Sequence, residues 1–226
     1  MPSPLTLYSH RFGPNPWKTV VVMLELGIPN ETIYLELGNG KNGVQSPEFL
    51  LKNPAGRVPL IRDPNTGVLL AESNAITQYL TEHYDPERTL TFDTEPEKHL
   101  INQWLMFQGA SQGPIYAQTL QAARKGNSVA VEHLQGIVKR TLGTLNDALQ
   151  DKKYLVGNKC TISDLSFLNW DLLLDRVLAG DPEAASAEQR EALFAHWASW
   201  HNRILQRPSV QTAIEMQRAA IAAGEA

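Results

Sequence analysis

Asn53-Pro54-Ala55-Gly56-Arg57-Val58-Pro59-Leu60-Ile61, followed eleven residues later by Glu72-Ser73, is the most specific local text in the chain. A proline inside an apolar, strand-like run removes a ladder donor, so Pro59 calls for a reason. A cis Val58–Pro59 bond at a strand start is one reason, and a trans proline at a strand edge is the other. The cis form would turn the Val58 backbone outward, leaving its N–H and C=O to pair with a peptide-like ligand. Glu72-Ser73 follows a strand and opens a helix. A serine hydroxyl and open amides at a helix N-terminus make a carboxylate site, and the adjacent Glu72 suits an ammonium group. An α-amino acid head carries both charges side by side. The plainer alternative makes Ser73 an N-cap and Glu72 an acid that complements the helix dipole.

Outward from this stretch, residues 5–84 read as alternating short strands and helices. Leu5–Tyr8 is a strand, and Gly13-Pro14-Asn15-Pro16 is a turn with Asn15 as N-cap and Pro16 in the first helical position. Trp17–Leu26 is a helix closed by Gly27, and Thr32–Leu35 a second strand. A glycine-rich loop spans Gly38–Gly43, and Ser46 caps a short helix over 47–51. Val58–Arg62 and Val68–Leu70 form a hairpin across Asp63-Pro64-Asn65-Thr66-Gly67, and Glu72–Tyr84 is a helix, giving β-α-β-α-β-β-α. Residues 93–226 carry helical periodicity at 100–120, 129–149, 163–178, 187–206 and 209–222, with an Ala-rich end expected to fray. The expected division is therefore 1–85 and 94–226, with a polar linker between.

Composition narrows the function classes. Of 226 residues, 42% are hydrophobic, enough for a sizeable core, and a net charge of −4 supplies no electrostatic footprint for nucleic acid. One cysteine, Cys160, excludes an internal disulfide framework and a cysteine-based zinc site. The six histidines lack metal-ligand spacing, so no metal is expected. No run approaches the ~20 apolar residues of a membrane helix, and the first residues lack the pattern of a secretory signal. A cytoplasmic globular protein is expected.

The string Arg57-Val58-Pro59, the Glu72-Ser73 pair and the element order resemble the thioredoxin-like domain of cytosolic glutathione transferases. The helical half resembles their second domain, and Tyr154–Asp164 resembles its capping motif, with Thr161 as N-cap and Asp164 as capping-box partner. Ser9–Lys18, Gln103–Gln108 and Gly113-Pro114 resemble the fungal and bacterial branch around the yeast nitrogen-regulating prion protein. The resemblance covers residues 5–210.

It implies an α/β thioredoxin-like N-terminal domain that binds glutathione and an all-α C-terminal domain that forms a hydrophobic substrate site. Val58 pairs with the cysteinyl unit of glutathione, with Pro59 as the cis proline. Glu72 and Ser73 hold the γ-glutamyl head. Arg57, with Lys41 or Asn42, meets the glycyl carboxylate, since Val44 stands where many relatives have a polar residue. Asn15 sits where the family places its thiol-activating group, ranked ahead of Ser9. Phe12, Phe107, Ser111, Gln112, Ile115 and Tyr116 are the substrate-wall candidates, Lys18 a domain-interface cation, and the assembly a homodimer. The activity implied is attack of the glutathione thiolate on a small hydrophobic electrophile, in detoxification or secondary metabolism. The alternatives are glutathione-dependent cis/trans isomerisation of a conjugated double bond and a non-catalytic regulatory protein on this fold.

Overall fold

A computed structural model describes residues 3–224. These divide into two compact units, one of residues up to Thr89 together with those from Arg207 onward, the other Leu90–Gln206.

The first unit is built on a four-stranded sheet in the order β2-β1-β3-β4. β1 (Leu5–Ser9) and β2 (Asn30–Tyr34) run parallel, joined across α1 (Pro14–Glu25). β3 (Leu60–Arg62) runs antiparallel to β1 and forms a hairpin with β4 (Leu69–Ala71). α2 (Pro47–Leu50) precedes the hairpin and α3 (Ser73–Tyr84) follows it. Leu5, Leu7, Val21, Met23, Ile61, Ile76 and Leu80 are completely buried, forming the core between sheet and helices. The first strand therefore reads as expected, whereas β3 begins two residues later than the sequence suggests. Pro59 has no N–H to give to the ladder, so pairing starts at Leu60.

Register decides where the loops go. Tyr8 pairs with Leu60, Leu60 with Ala71, and Ser9 with Tyr34. The end of β1, the start of β3 and the ends of β2 and β4 therefore all lie at one edge of the sheet. Residues 10–15, 36–44, 57–59 and 72–73 leave from that edge.

The second unit is helical. α4 (Glu95–Phe107) passes through a π-helical turn, Gln108–Gln112, into α5 (Gly113–Arg124). α6 (Ser128–Ala148), α7 (Ile162–Asp171), α8 (Leu174–Val177), α9 (Ala187–Leu193) and α10 (Ala195–Leu205) complete it. The sequence reads 100–120 as one helix. Pro114 cannot donate to the carbonyl four residues back, and the ladder widens just before it. Gly113 lies against the Trp170 ring, where an added Cβ would stand 3.2 Å from the indole nitrogen. Trp104, Trp170, Trp197 and Trp200 are all buried here.

The C-terminal segment differs from expectation. α11 (Pro208–Gly224) clusters with the first unit rather than with the helices before it, and it packs on α1. Arg207 donates from Nε and Nη2 to both carboxylate oxygens of Glu25 at 2.6 Å, and Ser209 donates to the same group. Gln217 donates to the Arg11 carbonyl at 3.1 Å. This bidentate ion pair, with 13% exposure on the acid, anchors the start of α11 on α1. Burial opposes ionisation of Glu25, and the Arg207 and Ser209 hydrogen bonds override it and hold the carboxyl below its ordinary range.

Candidate functional site

Four loops meet at the sheet edge, and each is held by identifiable interactions. The Val58–Pro59 peptide is cis, the first of the two forms the sequence allows. Among the described residues, neither the amide nor the carbonyl of Val58 is taken by a backbone hydrogen bond. Asn53 wraps the preceding turn: its Nδ2 donates to the Arg57 carbonyl at 2.7 Å, and its Oδ1 accepts from the Ala55 amide at 3.1 Å. Gln45 ties the glycine-rich loop to the same turn by donating to the Gly56 carbonyl at 3.0 Å. Gly56 has φ +58, a conformation that favours glycine, and a Cβ there would stand 2.3 Å from the Gln45 amide nitrogen and displace that side chain. Asn53 and Gln45 are positioning residues that the sequence reading missed; the Asn-Pro-Ala-Gly turn was the available signal for the first.

At α3 the N-cap is Glu72, with φ 71, and Ser73 is the first helical residue with no capping bond from a side chain. The plain-cap reading of Ser73 is thereby set aside. A left-handed conformation at a glutamate stores of order 1–3 kcal/mol. Glu72 is exposed and Ser73 buried, so the acid stands at the rim and the hydroxyl behind it.

At α1 the N-cap is Gly13, not Asn15 as the sequence suggests. Pro14 and Pro16 lack N–H groups, so half of the first four amides, which have no partner within a helix, do not exist. The helix therefore starts two residues earlier, and Asn15 lies in its first turn. Asn15, His10, Leu37, Val44, Arg57 and Val58 line one cavity of about 210 Å³, with mostly apolar walls. Ser9 does not line it. Its side chain is buried at the end of β1, because strand alternation turns residues 5, 7 and 9 toward the core. Ser9 is thus corrected from candidate to core residue.

His10 also lies on this cavity, and the sequence reading passed over it. The Phe12 amide donates to His10 Nδ1 at 3.3 Å, and the Phe12 and His10 rings stand 5.8 Å apart. Burial lowers the His10 pKa; Glu36 opposes this and Arg11 adds to it. Arg11 pairs with Glu36 at 2.8 Å across the loops. Lys41 and Asn42 are exposed on the glycine-rich loop, away from the cavity lining, and Arg57, itself part of that lining, is exposed as well.

Lys18 is completely buried, and its Nζ donates to Asn74 Oδ1 of α3 at 2.7 Å. Burial pulls its pKa down to about 7, and the negative charge of Glu72 resists that fall. The unfolded chain then holds a proton between pH 7 and the ordinary 10.5 that the folded chain has released, so stability rises with pH across this window. Urea melts at pH 7 and about pH 9 should show that rise, and Lys18→Met should flatten it.

In the second unit Gln112 and Tyr116 are corrected from substrate wall to core. Both are completely buried: Gln112 Nε2 donates to Asp171 Oδ1 at 2.7 Å and to the Phe167 carbonyl at 3.2 Å. The π-turn rotates Gln112 inward to satisfy that buried carboxylate. Asp171 also accepts from Trp197 Nε1 at 3.2 Å, whereas Asp175 pairs with Arg190. Phe107 is half-buried against Trp104 and Phe167, and Ser111 and Ile115 keep partial exposure. Phe12 is 57% exposed.

A thioredoxin-like unit of this topology, followed by a helical unit with a capping box at Thr161–Asp164, defines the glutathione transferase fold. Residues 3–82 match the family model for the glutathione S-transferase N-terminal domain and residues 114–216 that for its C-terminal domain. The chain belongs to the glutathione transferase family, whose cofactor is glutathione. It is 38% identical to glutathione S-transferase 1 of Schizosaccharomyces pombe over 96% of this chain and 97% of the relative. Ure2p5 of Phanerochaete chrysosporium, cocrystallised with 1-(S-glutathionyl)-2,4-dinitrobenzene, superposes with a TM-score of 0.86 at 31% identity, covering 98% of each chain. Ure2p in complex with glutathione superposes at 0.84 with 30% identity, covering 94% of this chain and 99% of that one. Among the described residues no helix is long and apolar enough to cross a membrane, and no cluster of three or more metal-ligating side chains occurs.

Proposed function

We propose that the protein is a glutathione S-transferase that binds glutathione along the sheet edge and activates its thiolate for attack on a small hydrophobic electrophile. The observation that carries this reading is the strand register, which brings Asn15, Val58 and the Glu72-Ser73 pair to one edge. The open Val58 backbone pairs with the cysteinyl unit, which is the backbone recognition an extended peptide needs. Ser73 and the amides of α3 take the α-carboxylate and Glu72 the ammonium of the γ-glutamyl head. Arg57 neutralises the glycyl carboxylate, with Lys41 and Asn42 of the glycine-rich loop as further candidates for it. Asn15 donates to the sulfur from the first turn of α1, where the helix dipole also favours an anion. A free thiol ionises near ~8.5, and lowering that by ~2 units takes ~2.7 kcal/mol, within reach of one charge-assisted hydrogen bond plus a helix terminus.

Phe12, 57% exposed, contributes apolar surface for the electrophile. Glutathione conjugates bound by relatives support the substrate class. A cytoplasmic homodimer acting in detoxification or secondary metabolism completes the reading.

Calorimetric titration with glutathione, with thiolate absorbance followed across pH, tests it. Binding with a lowered thiol pKa supports the transferase. Binding with an unshifted thiol removes the activation step, and no binding at millimolar glutathione leaves a regulatory scaffold. Within the same assay, Ser73→Ala should weaken glutathione by about 1–3 kcal/mol, because a charged partner loses its hydrogen bond. Unchanged affinity would take Ser73 out of the site.

A further inference from the structure

We propose that His10 is a further catalytic residue: it donates a hydrogen bond from Nε2 to the carbonyl oxygen of an α,β-unsaturated carbonyl substrate as glutathione adds to it. This deepens the transferase reading and rests on it. The imidazole lines the same cavity as Asn15 and Val58. Its Nδ1 accepts the Phe12 amide proton, so the neutral ring carries its own proton on Nε2. The apolar surroundings favour that neutral form at neutral pH, through the burial that lowers its pKa. Of the other side chains with N–H donors on this wall, Asn15 is assigned to sulfur and Arg57 to the glycyl carboxylate. His10 is therefore the donor left for the electrophile.

The chemistry that uses such a donor is conjugate addition. Thiolate sulfur forms a bond to the β-carbon, the C=C π pair moves toward the carbonyl, and negative charge grows on its oxygen. His10 Nε2–H stabilises that oxygen while keeping its proton. Water then protonates the α-carbon, replacing the proton that the thiol released to solvent on ionising. A neutral imidazole acting as electrophile at a developing enolate is an established device. The same enolate forms when addition is reversible and the double bond isomerises. Displacement of an alkyl halide forms none, since its charge departs with the halide.

The test compares benzalacetone, an enone, with benzyl chloride. In His10→Phe the ratio of kcat on the enone to kcat on the halide should fall about tenfold, the scale expected for one donor in a half-exposed site. His10→Gln, which keeps an N–H donor, should recover most of that ratio. An equal fall on both substrates, or no change on either, would overturn the assignment. If calorimetry finds no glutathione binding in the unaltered protein, the transferase reading itself fails. An unchanged ratio in a protein that binds glutathione overturns only the role of His10.

Discussion

Asn15→Ala should leave glutathione bound and raise the apparent pKa of its thiol by up to about 2 units, toward the free value. Below the new pKa the thiolate fraction falls in proportion, so kcat/KM near pH 6.5 should drop by up to about 100-fold. At high pH both enzymes hold the thiolate, and the two profiles should converge. Removal of an amide donor acts on the anion and leaves the α3 and Val58 contacts in place, so the dissociation constant for S-methylglutathione should change little. A pH–rate profile superimposable on the unaltered one would shift activation to the backbone at the start of α1. Ser9 is not the alternative, because its side chain is buried behind the strand end.

The other large effect is on folding. Asp164 is completely buried at the start of α7. It accepts from the amides of Leu155 and Thr161 at 2.9 Å, from Trp200 Nε1 at 2.9 Å and from Thr161 Oγ1 at 3.0 Å. Burial raises its carboxyl pKa, and these four donors pull the other way. Asp164→Ala removes the acceptor and leaves four buried donors without it. A loss of about 3–5 kcal/mol is expected, the range for breaking a buried, fully hydrogen-bonded charge. For a chain of this length a loss of that size lowers Tm by roughly 6–20 °C. Calorimetric melting checks it, and a fall under about 2 °C would mean that the hydrogen bonds are remade elsewhere. Asp164→Asn should recover part of the loss, since the amide oxygen still accepts while its NH2 meets a donor. The effect reaches activity only through the amount of folded protein.

Much of this architecture is written in local signals. Gly27, Ser46 and the Thr161–Asp164 box mark helix ends by the bonds their own segments need, and these are readable from a few neighbouring residues. Asp63-Pro64-Asn65-Thr66-Gly67 announces the hairpin, and Pro59 announces an interruption at its first strand. Errors fall where two local signals compete. Asn15 and Gly13 both make acceptable caps, and the two prolines decided for Gly13.

The sequence by itself determined that an alternating α/β half precedes an all-helical half, and which segments carry the chemistry of a peptide-like ligand. These properties follow from periodicity, caps and turns, whose range is a few residues. Only the tertiary structure decided that Ser9 faces the core while His10 and Asn15 share a cavity with Val58, that Lys18 is sealed against Asn74, and that Gln112 turns in to Asp171. It also returned α11 to the first unit through Glu25 and Arg207, 182 residues apart. Burial, desolvation and the direction of a side chain are set by what packs against it from distant parts of the chain. Those partners are chosen by strand register and helix packing, which no short stretch of sequence encodes.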